Sequence, residues 1–211
     1  MLIHPWDRAT REEWRDFLAR RDFGQLVTAG HVRGYPVIVP THFLYDGGDT
    51  VELHLARPNP VWQAVEEDAH VVLALADDYV YVEAAWNADA GADPDLGVPT
   101  SYYTAVQLHG TVELVDDPDE KAAILARQLR HFEPAGSTRR VPSTTSESDR
   151  RLLPGIRGMR LHLESVRAKQ KYGGNKTVAH RQDIADRLAN RAGPRDAAAR
   201  EQLIRRTPRE W

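Results

Sequence analysis

Residues 51–56 alternate strictly. Val51, Leu53 and Leu55 fall on one side, Glu52, His54 and Ala56 on the other, and Arg57-Pro58-Asn59-Pro60 ends the run. A period of two is that of a strand with one buried face, so this pattern predicts a strand over 50–56. The same alternation recurs over 104–115 (TAVQLHGTVELV) and 158–166 (GMRLHLESV). Residues 70–76 (HVVLALA) are strongly apolar, and Asp77-Asp78 predicts a turn into a further strand over 79–84. A short strand is expected over 25–29 and a longer one over 35–45, broken by Pro36 and Pro40, with a turn at 31–34 between them. Asp46-Gly47-Gly48-Asp49 is a hairpin signal.

The helical period appears elsewhere. Thr10-Arg11-Glu12-Glu13 fits a capping box, and Trp14, Phe17 and Leu18 follow at helical spacing, predicting a helix over 10–20. Proline opens a short helix over 60–67, and Asp116-Asp117-Pro118 opens an amphipathic one reaching about 132. Helices are also expected over 177–191 and 196–205, with polar loops over 87–98 and 134–148. Six or so strands joined mainly by hairpins, with helices at the start, middle and end, give an α+β class. The simplest arrangement is an antiparallel sheet closed into a barrel. No internal repeat and no GxGxxG or GxxxxGK[ST] stretch is present.

Composition narrows the function classes. The chain of 211 residues suits one domain with a small appendage, and 41% hydrophobic residues suffice for a core without staples. There is no cysteine, which excludes disulfides, thiolate metal sites and a cysteine nucleophile. No stretch approaches the length of a membrane span and MLIHPWDRAT has no apolar h-region. A cytoplasmic protein is expected. A net charge of -3 argues against a dedicated nucleic-acid binder. The local exception is the trio Lys169, Lys171 and Lys176 around Gly173-Gly174-Asn175. Glycines admit close approach of a ligand and lysines supply charge for an anion, whereas a solvated loop is the plainer reading.

Several segments in order carry a resemblance: Gly24-Gln25-Leu26-Val27-Thr28, Thr41-His42-Phe43, His54-Leu55-Ala56-Arg57-Pro58-Asn59-Pro60-Val61-Trp62, Tyr79-Val80-Tyr81-Val82, Val98-Pro99-Thr100 and Gly110-Thr111-Val112. Together they resemble the PaiB-like family of FMN-binding negative transcriptional regulators, from the N-terminus to about Lys171. The HxARxNPxW segment is the most specific part. The resemblance implies a split β-barrel with peripheral and C-terminal helices, dimerising with a cofactor at the subunit interface. It divides the chain into a cofactor-binding domain over 1–170 and a C-terminal helical extension over 171–211.

The chain also departs from that family. YVSPSWY becomes Tyr81-Val82-Glu83-Ala84-Ala85-Trp86-Asn87, and VPTWNY becomes Val98-Pro99-Thr100-Ser101-Tyr102-Tyr103. The K-KLSQN signature becomes Lys169-Gln170-Lys171-Tyr172-Gly173-Gly174-Asn175, and the usual histidine of the 104–109 strand falls at Gln107, with His109 two residues on. Arg151-Leu152-Leu153-Pro154-Gly155 looks like a segment of the haem-dependent piperazate synthases, a branch that cyclises an N-hydroxylated ornithine.

The resemblance implies roles residue by residue. His54 would project toward the partner subunit and serve as axial ligand to haem iron. Its alternative is an interface histidine held by a hydrogen bond. Arg57 would pair with a propionate or phosphate, Asn59, also a cofactor-site candidate, would fix the turn with the two prolines, and His42 is a second cofactor candidate. Lys169 and Lys171 would hold the FMN phosphate or haem propionates. Glu83 and Tyr102 are candidate catalytic groups beside a small-molecule substrate. His109 and His162 lie in alternating strands, and Tyr79, Tyr81, Trp86 and Tyr103 could stack on a flat cofactor or serve as core. The cofactor is haem b or FMN, with haem favoured through His54. Three functions compete: a redox enzyme, a transcriptional regulator binding DNA through Arg181–Arg206, and a cofactor-binding protein without turnover.

Overall fold

The computed structural model describes residues 1–29, 34–89 and 91–206. Its strands are β1 Phe23–Thr28, β2 Val37–His42, β3 Leu44–Tyr45, β4 Thr50–Ala56, β5 His70–Val82, β6 Thr100–Val115 and β7 Ile156–Lys171. Its α-helices are α1 Arg11–Ala19, α2 Val61–Glu67, α3 Ala84–Asn87, α4 Pro118–Phe132, α5 Glu147–Leu152, α6 Val178–Arg191 and α7 Asp196–Arg206. The strands form one sheet in the order β2-β1-β5-β6-β7-β4-β3. The pairs β1–β2, β1–β5, β3–β4 and β4–β7 are antiparallel. The α+β antiparallel class read from the sequence is the observed one.

Internal contacts divide the chain into two discontinuous compact units, one of residues 1–14, 76–106 and 167–211, the other of 15–75 and 107–166. The second unit contains β1 to β4, α2, α4, α5 and the sheet's central register. Val51 and Leu53 of β4 are fully buried, as are Leu26, Leu73, Leu108, Met159 and Leu161 of other strands of the sheet. In that register His54 lies opposite Gly158 of β7. A Cβ on Gly158 would meet Ile124 Cδ1 at 2.9 Å and Val115 Cβ at 3.1 Å. The missing side chain therefore lets α4 seat closely over β7. The first unit has its own core of Val80, Val82, Tyr102, Tyr172, Ile184, Leu188 and Leu203, with Trp86 packed against it.

Some elements differ from expectation. The turn expected at Asp77-Asp78 is not a chain reversal, because β5 runs unbroken from His70 to Val82. Asp78 takes φ 53°, a left-handed conformation inside the strand. Aspartate tolerates that conformation better than most residues. Its carboxylate accepts from Gln202 Nε2 at 3.0 Å. β6 and β7 are longer than their alternating cores predict, and the loop expected over 87–98 contains a 3-10 turn at Pro94–Leu96. The turn expected over 31–34 lies, apart from Gly34, outside the described residues.

Candidate functional site

β4 buries Val51 and Leu53 and turns Glu52 and His54 to its other face, as its alternation requires. α4 covers that face. Asp117 caps the helix by accepting from the backbone N–H groups of Asp119 and Glu120. Its buried stripe carries Lys121, Ile124 and Gln128, three and four residues apart. Gln128 Nε2 donates to the Glu52 backbone carbonyl at 3.4 Å. That turns the amide oxygen toward His54 Nδ1, 2.6 Å away. An amide oxygen only accepts, so Nδ1 carries the hydrogen and Nε2 keeps its lone pair. Burial lowers the His54 pKa, the Gln128 bond opposes that, and neighbouring His42 lowers it further. The ring is therefore held neutral, with one nitrogen free to ligate.

His42 on β2 meets His54 edge-on, ring centroids 5.5 Å apart, and meets Phe132 at 5.0 Å. Both histidines line a cavity of about 460 Å³ whose other walls include Phe23, Leu125, Leu129 and Phe132. This is an apolar pocket with few, convergent polar groups. The structure thus brings His42 and His54 together. His54 is half-buried, with α4 packed over that side of β4.

The HxARxNPxW segment is tied down internally. Arg57 Nε donates to the Pro154 carbonyl at 2.9 Å and its terminal nitrogen to Asp116 at 2.8 Å. Asp116 is held below its usual carboxylate range, first by Arg157 and then by Arg57. Asn59 Oδ1 accepts from the Val61 N–H at 3.0 Å and so opens α2. Trp62 Nε1 donates to the Ala56 carbonyl at 2.9 Å. Asn59 thus fixes the turn as expected, and Arg57, a candidate for contact with a cofactor, also helps to hold it.

In the other unit, Lys169, Lys171 and Lys176 line one cavity of about 340 Å³ with His4, Trp6, Asp7, Thr100, Tyr102 and Gly173. Lys169 Nζ donates to the Leu2 carbonyl at 3.0 Å and stands 3.6 Å from Asp7. Lys176 Nζ pairs with Asp89 at 2.8 Å. Lys171 Nζ donates to Thr100 Oγ1 at 2.6 Å. Burial, then the neighbouring Lys169, lowers the Lys171 pKa. Burial pushes the Asp7 carboxyl up, against the pull of Lys169. Tyr102 is 1% exposed, and its hydroxyl has no hydrogen-bond partner among the described residues. Its pKa is pushed up to about 12, chiefly by burial. Glu83 stands apart from that lining and faces Arg191 at 3.5 Å.

The remaining candidates are accounted for locally. His162 Nε2 pairs with Glu113 at 2.8 Å. His109 lines a third cavity with Thr28, Val72 and Gly110. Tyr79 and Tyr81 are exposed. Lys169 lies over the Tyr103 ring at 5.7 Å, and Arg191 over Trp86 at 4.7 Å.

Residues 1–165 match the family whose description reads "Putative FMN-binding domain". The chain belongs to this FMN-binding-domain family. No curated protein matches it significantly. Among solved structures it is similar to the FAD and haem binding protein from Mycobacterium smegmatis. That match has 19% identity over 78% of this chain and 72% of the other, with a TM-score of 0.58. It is also similar to the flavocytochrome from Azotobacter vinelandii, at 18% identity over 81% of this chain and 75% of the other, with a TM-score of 0.57. The likeness is one of fold, the split barrel. No helix among the described residues is long and apolar enough to cross a membrane.

Within this FMN-binding-domain family member, sequence reasoning missed Gln128, Thr100, Trp6 and Asp7. Gln128 did leave a signal. It is a polar residue on the apolar stripe of α4, where burial demands a partner. Residues 4–7 left none, because they reach the lysine cavity only through tertiary structure.

Proposed function

We propose that this protein is a cofactor-dependent redox enzyme of the PaiB-like type, with haem ligated axially by His54. One observation carries the reading: His54 is neutral and oriented by Gln128, with the Nε2 lone pair available beside an apolar cavity. Among the described residues no group of three or more His, Cys, Asp or Glu is placed to hold a bare metal ion. A single imidazole in apolar surroundings fits an iron whose in-plane ligands come with its macrocycle. The two similar solved structures are a FAD and haem binding protein and a flavocytochrome, which supports the same cofactor.

His54 would donate its Nε2 lone pair. Gln128 would hold the ring's tautomer. Phe23, Leu125, Leu129 and Phe132 would help to shield the group from water. Haem would supply an iron centre able to accept an N-hydroxyl oxygen, the chemistry by which a piperazate-synthase-like enzyme closes an N–N bond. A homodimer belongs to this reading. Phe23 and Ile38 are 62% and 52% exposed on neighbouring strands, an apolar surface a second copy would cover.

The test is the absorption spectrum of the purified protein and of the protein supplied with haem. An intense Soret band, lost or shifted in His54→Ala, is the expected result. A band unchanged by that substitution refutes axial ligation by His54. The family match favours FMN as the second reading. Two broad near-ultraviolet and blue bands, with yellow fluorescence released on denaturation, would establish it.

A further inference from the structure

The lysine cavity holds two groups that the folded chain leaves incompletely used. The first is the Tyr102 hydroxyl, fully buried without a partner among the described residues. Leaving a buried hydroxyl unpaired costs about 1–3 kcal/mol, so a fold tolerates it where a ligand completes the bond. Gly173 makes room for it. A Cβ on Gly173 would fall 2.3 Å from the hydroxyl oxygen, and Gly173 itself takes φ 64°, in the left-handed region. Gly173 and Tyr102 line the same cavity.

The second group is Lys171. Lys176 is neutralised by Asp89 and Lys169 stands beside Asp7, whereas Lys171 donates to the uncharged hydroxyl of Thr100. Asp7 also acts on Lys171 electrostatically, but among the described residues the three lysines of the lining still exceed the carboxylates of Asp7 and Asp89 by one positive charge. One uncompensated positive charge matches a monoanion better than a phosphate dianion. Among the described residues no arginine is in the lining itself, although Arg181 acts on Tyr102 electrostatically, so the planar fork that most often clamps phosphate is missing from the lining.

We propose that this cavity is a receptor for the single carboxylate of a small free ligand, held by the Lys171 ammonium and the Tyr102 hydroxyl. Tyr102 acts as a donor: its hydroxyl stays protonated across the physiological range. Lys171 supplies the charge and Thr100 fixes its position. The site narrows the phosphate-or-propionate expectation for Lys169 and Lys171 to one carboxylate and one lysine. It is independent of which cofactor the protein takes.

The experiment uses full-length protein labelled with 13C at the tyrosine ζ carbon, the Tyr102 signal being assigned by its loss in Tyr102→Phe. Sodium acetate, glycine and sodium phosphate are titrated at constant ionic strength, with sodium chloride as control. The proposal expects a saturable shift of the Tyr102 signal with acetate and glycine at lower concentration than with phosphate, and none with chloride. Lys171→Met should weaken acetate about tenfold or more, and Lys171→Arg should retain most of it. Tyr102→Phe should raise the melting temperature of ligand-free protein, since it removes an unpaired buried hydroxyl, and abolish the stabilisation by acetate. That combination separates a binding role from a structural one, for which Tyr102→Phe would only destabilise. Three results would overturn the proposal: tighter binding of phosphate than acetate, a shift indifferent to Lys171→Met, or loss of acetate binding once haem is loaded, which would make the carboxylate a propionate.

Discussion

At His54 the direction of one hydrogen bond decides what the ring can do. The Gln128 oxygen accepts from Nδ1, so the bond raises the histidine's pKa, while burial and His42 lower it. Gln128→Leu removes that acceptor and strands a half-buried N–H. Stability should fall by about 1–3 kcal/mol, and the His54 titration followed by NMR should move to lower pH. The net folded pKa is depressed below the ordinary histidine value, chiefly by burial. The native state therefore binds fewer protons than the unfolded chain just below that value. The sign follows: the contribution is intact above the unfolded value and is lost as pH falls toward the folded one. Urea midpoints measured between pH 7.5 and pH 5, on the order of the histidine range, should drop in the wild type. The drop should be smaller in His54→Asn. An equal drop in both would place the responsible group elsewhere.

Among the elements, those built by neighbouring residues were legible and those built by distant ones were not. The capping box of α1 stands as read: Thr10 N donates to Glu13 Oε2 at 2.7 Å and Glu13 N to Thr10 Oγ1 at 3.3 Å. Thr10→Ala should therefore cost about 1 kcal/mol in a chemical denaturation series. The β4 strand runs Thr50–Ala56, as its alternation said. β5 was cut in two because Asp77-Asp78 is a sound turn signal, and only the tertiary setting shows Asp78 absorbing it within a strand. The site follows the same division. His54 and the lysines were visible as residue types in telling positions. The role of Arg57 depended on Asp116 and Pro154, which local patterning cannot pair with it. Gly158 shows the cost of missing such contacts. Gly158→Ala would press on Ile124 and Val115, costing about 1–3 kcal/mol. Because α4 also carries Gln128, haem uptake should weaken with it. Normal haem affinity in a destabilised Gly158→Ala protein would separate α4 from the ligand site.

At the scale of the whole molecule, the first and last described segments are joined through one buried cation. Arg206, at the end of α7, is 1% exposed. It donates to Glu13 Oε1 and Gln170 Oε1, each at 2.9 Å. It also donates to the carbonyls of Trp6 and Arg8, each at 3.2 Å. Arg181 in turn donates to the Arg206 carbonyl at 2.8 Å. A planar fork meeting four acceptors suits arginine and no other side chain. Its neighbour Arg205 is exposed and, among the described residues, pairs along its own helix with Glu201 at 3.4 Å. The contrast within one helical turn makes the prediction sharp. Arg206→Ala removes one partner of a buried ionic network and should cost about 3–5 kcal/mol. Arg205→Ala should stay within about 0.5 kcal/mol of wild type. Hydrogen exchange should show Arg206→Ala losing protection in α7 and in the backbone around Trp6–Glu13 together. These residues frame the lysine cavity through Trp6 and Asp7, so acetate stabilisation should vanish in the same variant and persist in Arg205→Ala. Equal melting temperatures for the two variants would mean that Arg206 is buried without tying the ends together.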